Sequence, residues 1–158
     1  MRSPLVSPWL PALLAGLLLA GAPGLAAAPA DGSPAVAPPD GVVAWYFHTR
    51  FRCSTCRHIE SLSREAIEHG FPDELHSGRL AFRVVDVEAP GNEHFVRDFR
   101  LVTKSLVLVE YRDGKVVRWK NLPKIWQLVR DREAFIRYVR GEVRDFLDAG
   151  HEGAGEDR

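Results

Sequence analysis

The chain has 158 residues, 21 lysines and arginines against 21 aspartates and glutamates, and two cysteines. Balanced charge gives no footing for nucleic acid or an anionic membrane as partner. The length left after an export leader suits one domain.

The amino end has the three parts of such a leader: Arg2, an apolar stretch from Leu10 to Leu25, and Ala28-Pro29-Ala30 as a small-x-small cleavage site before Asp31. Ala26 is a second site. Pro11 and Pro23 interrupt the stretch, and a span needs about 20 well-packed apolar residues, so no stable membrane span is expected after cleavage. No cysteine near the cut offers a lipid anchor. Residues 1–30 thus read as a signal peptide and the mature protein as periplasmic or secreted. Pro34, Pro38 and Pro39 among small residues make 31–40 a linker.

A domain is expected over residues 41–148. Gly41 to His48, rich in β-branched and aromatic residues, reads as a buried strand, and Arg50, Phe51 and Arg52 form a short basic loop after it. Cys56, Ile59, Leu62, Ala66 and Ile67 then recur at helical spacing in a helix from about Ser54 to His69, ended by Gly70. Pro72 to Gly78 is a polar connector with one helical turn, and Leu80 to Val87 is a second strand. A strand, helix and strand of these lengths make a right-handed crossover between parallel neighbours.

Asn92 is a candidate cap for a short helix with Phe95, Val96 and Phe99 on one face. Ser105 to Arg112 and Lys115 to Trp119, joined by Asp113-Gly114, form a hairpin. Leu122-Pro123 opens a connection. Asp131 can cap a last helix, to Asp148, with Phe135, Ile136, Val139, Val143, Phe146 and Leu147 in one stripe. Residues 149–158 read as a disordered tail. The fold class is α/β, in the order β-α-β-α-β-β-α, with a four-stranded mixed sheet flanked by helices.

Both cysteines fall where the first strand becomes the first helix. Residues three apart in a helix have Cβ atoms roughly 5–6 Å apart, so a Cys53–Cys56 disulfide is within reach. Backbone N–H groups and the positive end of the helix dipole favour the thiolate at Cys53, and Arg52 and Arg57 add positive charge. Cys53 would attack as the exposed nucleophile and Cys56 would resolve the mixed disulfide. Two other readings stay open. Cys53, Cys56 and His58, with His48 further off, could bind copper or zinc, or the pair could be an inert staple. Covalent haem is excluded because Arg57, not histidine, follows Cys56.

The element order with Cys-x-x-Cys opening its first helix resembles the thioredoxin-like superfamily over Gly41 to Asp148. Tyr46-Phe47-His48 and Arg52-Cys53-Ser54-Thr55-Cys56 resemble the core of the exported nitrophenyl compound nitroreductase subunit, ArsF family. The superfamily implies electron exchange with a thiol or disulfide protein, unidentified here. A flavin or NADPH nitroreductase is not implied, since no Gly-x-Gly-x-x-Gly turn follows a strand, and no cofactor is expected. Nothing in the pattern specifies an oligomer.

The chain departs from thioredoxins where they carry a cis-proline opposite the cysteines. That place falls near Leu106, and Ser105-Leu106-Val107 contains no proline. A cis bond there would cost about 2.5–4 kcal/mol, so a trans peptide is expected. The partner surface is then expected at Phe51, Arg50, Arg52 and an edge formed by Ser105, Leu106 and Val107.

Overall fold

Every side chain from Val42 to His48 is buried, which places β1 (Gly41–His48) inside a sheet covered on both faces. The structure is a computed structural model describing residues 40–152, with side chains described through Gly150. The expected signal peptide and linker lie outside that range except for Asp40.

Helix α1 (Ser54–Glu68) follows β1 and ends where the His69 N–H donates to the Glu65 carbonyl at 3.1 Å, just before Pro72 opens α2 (Pro72–His76). The chain then returns as β2 (Leu80–Asp86), parallel to β1 with Val42 opposite Leu80 and His48 opposite Asp86. After α3 (His94–Asp98), β3 (Ser105–Arg112) runs antiparallel on the other side of β1, and β4 (Lys115–Asn121) pairs antiparallel with β3. The four strands therefore lie in the order β2-β1-β3-β4. Asp113 and Gly114 both take positive φ, 52° and 69°, the geometry that lets a two-residue turn follow the twist of its strands.

A short helix, α4 (Ile125–Leu128), and a long one, α5 (Arg132–Glu152), complete the fold. The Asp131 carboxylate accepts the Ala134 N–H at 2.9 Å and so caps α5. Alternation along the strands sorts the core into two layers. Val42, Ala44, Tyr46, Leu106 and Leu108 face α1 and α5, while Val43, Trp45, Phe47, Val107 and Val109 face α3. Among the described residues, no helix is long and apolar enough to cross a membrane.

Three expectations need correction. The Asn92 side chain does not cap α3; its amide donates to the Asp86 carbonyl at 2.9 Å, and Glu93 stands at the cap. Phe95 and Phe99, four apart, bury one face of α3 and turn Val96 outward. Residues 149–152, expected to open the tail, are helix, and the rest of that expected tail, 153–158, lies outside the described residues. Arg112 donates to the Gly150 carbonyl at 3.2 Å, and α5 runs on to Glu152.

Candidate functional site

Cys53 and Cys56 are joined in a disulfide, with Cα atoms 5.2 Å apart. Cys53 is the N-cap of α1 in extended geometry, and its Sγ accepts the Cys56 N–H at 3.2 Å. The first turn of α1 holds no acidic residue, so nothing local offsets the positive end of its dipole. Cys53 is half-buried and Cys56 is 2% exposed. One sulfur is thus reachable from solvent and the other is covered, the asymmetry needed for an attacking and a resolving thiol.

Beneath the pair, the Tyr46 hydroxyl donates to the Cys56 carbonyl at 2.7 Å. Burial pushes the Tyr46 phenol up to about 12, against the opposing pull of the Arg52 charge, so it remains a neutral donor at ordinary pH. Arg52, expected to act on the thiol, is itself paired with Glu60, two turns into α1. Arg64 stands 3.6 Å from the same carboxylate. The charge beside Cys53 is therefore partly neutralised from within the helix. Arg57 is exposed and makes no ion pair among the described residues.

Phe51 is 74% exposed at the end of the β1 loop, and Val102, in the loop entering β3, is 95% exposed. Phe47 pairs with Ser105, so both loops leave the same end of the sheet. Ser105 and Leu106 do not form the free edge that was expected. Both are buried; Leu106 pairs with Tyr46 on one side, and its carbonyl accepts the Leu122 N–H at 2.9 Å on the other. The chain leaving β4 at Leu122 covers what would have been an edge at Leu106. All peptide bonds among the described residues are trans.

A groove of about 660 Å³ opens beside the disulfide, lined by Ser54, Thr55, His58, Trp126, Gln127, Val129 and Arg130. Trp126 fixes its far wall by donating from Nε1 to the Lys104 carbonyl at 2.9 Å. His58 belongs to this wall. His48 is buried, and its Nδ1–H donates to the Thr49 carbonyl at 2.9 Å. Among the described residues no three histidine, cysteine, aspartate or glutamate side chains come together as a metal-binding group while the cysteines are joined in their disulfide. Tyr46, Glu60 and Trp126 are the site residues that sequence reasoning missed. The spacing of Glu60 from Arg64 and from Cys53 was the one available sign for the carboxylate, placing it on the helix face below the pair.

β1 and β2 run parallel, the β3–β4 hairpin adds antiparallel to them, and a Cys-x-x-Cys disulfide opens the first helix. The fold is thioredoxin-like. Solved structures to which the chain is similar include thioredoxin from Fasciola hepatica, 23% identical, covering 63% of this chain and 82% of that one at a TM-score of 0.37. Thioredoxin from Trypanosoma brucei brucei is 22% identical, covering 65% and 80% at 0.37. Thioredoxin O2 from Arabidopsis thaliana is 16% identical, covering 61% and 76% at 0.37. Superposition at this level adds no weight to the topology, which stands on strand order and pairing. No family model matches the chain, and no curated protein matches it. The resemblance to the ArsF family accordingly rests on residues 46–48 and 52–56 alone.

Proposed function

We propose that this is an exported thiol–disulfide exchange protein, working through Cys53 and Cys56 on a thiol or disulfide partner. The observation that carries the reading is the disulfide at the tip of α1, with Cys53 reachable and Cys56 buried behind it. A partner thiolate attacks Cys53 Sγ, a mixed disulfide forms, and Cys56 leaves as a thiolate; in the other direction Cys56 attacks the mixed disulfide and releases the partner. Export is the part that rests on the leader over residues 1–30, and it supplies a compartment where the oxidised pair persists. A function as a nitroreductase subunit, which the ArsF resemblance names, would assign this chain electron transfer to another protein and not reduction of the nitro group itself.

Trapping tests the reading. A Cys56→Ser variant is expected to accumulate mixed disulfides through Cys53 in cells, resolved by reductant on a gel. If no adduct forms, or if Cys53→Ser leaves every cellular phenotype unchanged, the pair is a staple.

A further inference from the structure

Cys53, Cys56 and Glu60 are spaced by three and by four, so they fall in line along α1, with the carboxylate one turn beyond the buried sulfur. Arg52, the residue before Cys53, pairs with that carboxylate. Its side chain therefore runs back along the face that carries both cysteines. The two side chains are 23% and 17% exposed, and Arg52 Nε is buried with no hydrogen-bond partner among the described residues, so water and salt screen the pair poorly. The Tyr46 phenol, whose hydroxyl donates to the Cys56 carbonyl at 2.7 Å, feels the Arg52 charge. The guanidinium is thus within electrostatic reach of the disulfide, and Glu60 is the acid that answers it. Around this pair α1 carries Arg57, His58 and Arg64, α5 brings Arg132, which Glu65 holds, and β1 brings the neutral phenol.

We infer that Glu60 is a positioning residue of the exchange reaction: it draws the Arg52 charge along α1 and offsets it, which makes the disulfide less oxidising than Arg52 alone would make it. The inference rests on the exchange reaction above and concerns its equilibrium. With glutathione as reductant, one thiolate attacks Cys53 Sγ, the Cys53–Cys56 bond breaks, and Cys56 takes the electron pair and then a proton. A second glutathione thiolate attacks the glutathione sulfur of the mixed disulfide and frees Cys53. Two thiols become one disulfide, and the protein disulfide becomes two thiols. The disulfide carries no charge and the Cys53 thiolate carries one, so a fixed charge nearby acts on the reduced form alone. An uncompensated guanidinium stabilises that form, and an uncompensated carboxylate destabilises it. Removing one partner or the other therefore moves the equilibrium in opposite directions, whereas loosening of α1 on loss of the ion pair would move both variants together.

The test equilibrates the full chain with glutathione redox buffers and, in the reduced protein, follows alkylation of Cys53 by iodoacetamide against pH. Glu60→Gln is expected to raise the constant for reduction by glutathione about threefold to tenfold and to move the alkylation midpoint down by about half to one pH unit. Arg52→Gln is expected to move both readings by similar amounts in the opposite sense. The double variant is expected to return to within about twofold of wild type, because it removes both charges at once. Arg52→Lys keeps the charge and is expected to stay close to wild type. Glu65→Gln removes the same charge from the side of α1 that meets Arg132 of α5, and is expected to leave both readings unchanged. Shifts of the same sign in the two single variants, no shift in either, or a lysine at position 52 that behaves as glutamine does would each overturn this inference and leave the exchange reaction standing. If neither glutathione nor dithiothreitol reduces the wild-type pair, the exchange reaction falls with it.

Discussion

The two faces of the sheet are covered by different means. Toward α1 and α5, nineteen buried residues, mostly aliphatic, form a layer under two long helices. Toward α3, a helix of five residues, there are ten. The thin side compensates with rings. Trp45, Phe47, Phe95 and Phe99 meet at centroid separations of 5.1 to 5.9 Å, and aromatic side chains bury the most area per residue. Even so, Trp119 on β4 stays 37% exposed, and an opening of about 440 Å³ remains between it, Trp45 and Phe95. The disulfide is carried on the thick side. A site that presents one sulfur and hides another has to be held by an element that does not shift, and α1 packs on both the sheet and α5, which lies beside it, where α3 lies on its sheet alone.

Matched truncations test that difference. Phe135 in α5 is fully buried, so Phe135→Ala is expected to cost about 3–5 kcal/mol in urea unfolding of the oxidised protein. Phe95 on the thin side borders the opening, where water already approaches, and Phe95→Ala is expected to cost about 2–3 kcal/mol. Equal losses, or the reverse order, would mean that the aromatic layer is as well sealed as the aliphatic one.

The thick face is closed at the end far from the cysteines by a buried acid. Glu110 accepts from Arg112 Nε at 2.9 Å and from Arg118, which also donates to the Phe146 carbonyl on α5. Burial pushes the Glu110 carboxyl up, but the hydrogen bonds and charges of Arg118 and Arg112 outweigh it and hold the group below its ordinary 4.5. A depressed carboxyl contributes stability that is complete above the ordinary value and lost as the pH falls through the lower folded value. Glu110→Gln is therefore expected to cost about 2 kcal/mol at pH 7, discounted because both arginines are partly exposed, with the gap to wild type closing as the pH drops below 4.5. A gap that stays constant on acidification would show that the carboxylate charge is not what ties β4 to α5.

Most of this frame was legible in the residues. Strand β1, the crossover to β2, the Asp113-Gly114 hairpin and the stripe on α5 each had a local cause, whether β-branched runs, turn chemistry or helical spacing. The cysteine pair was legible for the same reason, since a motif of four residues is local. What escaped reading depends on residues brought together from a distance. Leu106 looked like an edge because nothing in Ser105-Leu106-Val107 says that the chain after β4 returns to pair there. Arg52 looked like free charge because its partner lies eight residues on. Trp126 sits in a helix of four residues, too short to show a period, and matters only through the loop it touches at Lys104.

Tyr46 is the point where the thick face meets the site, and the smallest effect is expected there. Tyr46→Phe keeps the ring in the core and removes only the hydroxyl that donates to the Cys56 carbonyl. That carbonyl lies in the first turn of α1 and keeps its helical partner, so the loss is expected to be about 1 kcal/mol and not the larger cost of an orphaned acceptor. The pH dependence separates this bond from simple packing. A phenol raised from 10.0 to about 12 favours folding below the ordinary value and loses that contribution as the pH rises through the folded one. The difference between wild type and Tyr46→Phe should thus be constant to pH 10 and shrink between 10 and 12, read by unfolding at each pH. A difference unchanged across that interval would place the hydroxyl in contact with water, and α1 would then be held over the sheet by its apolar stripe alone.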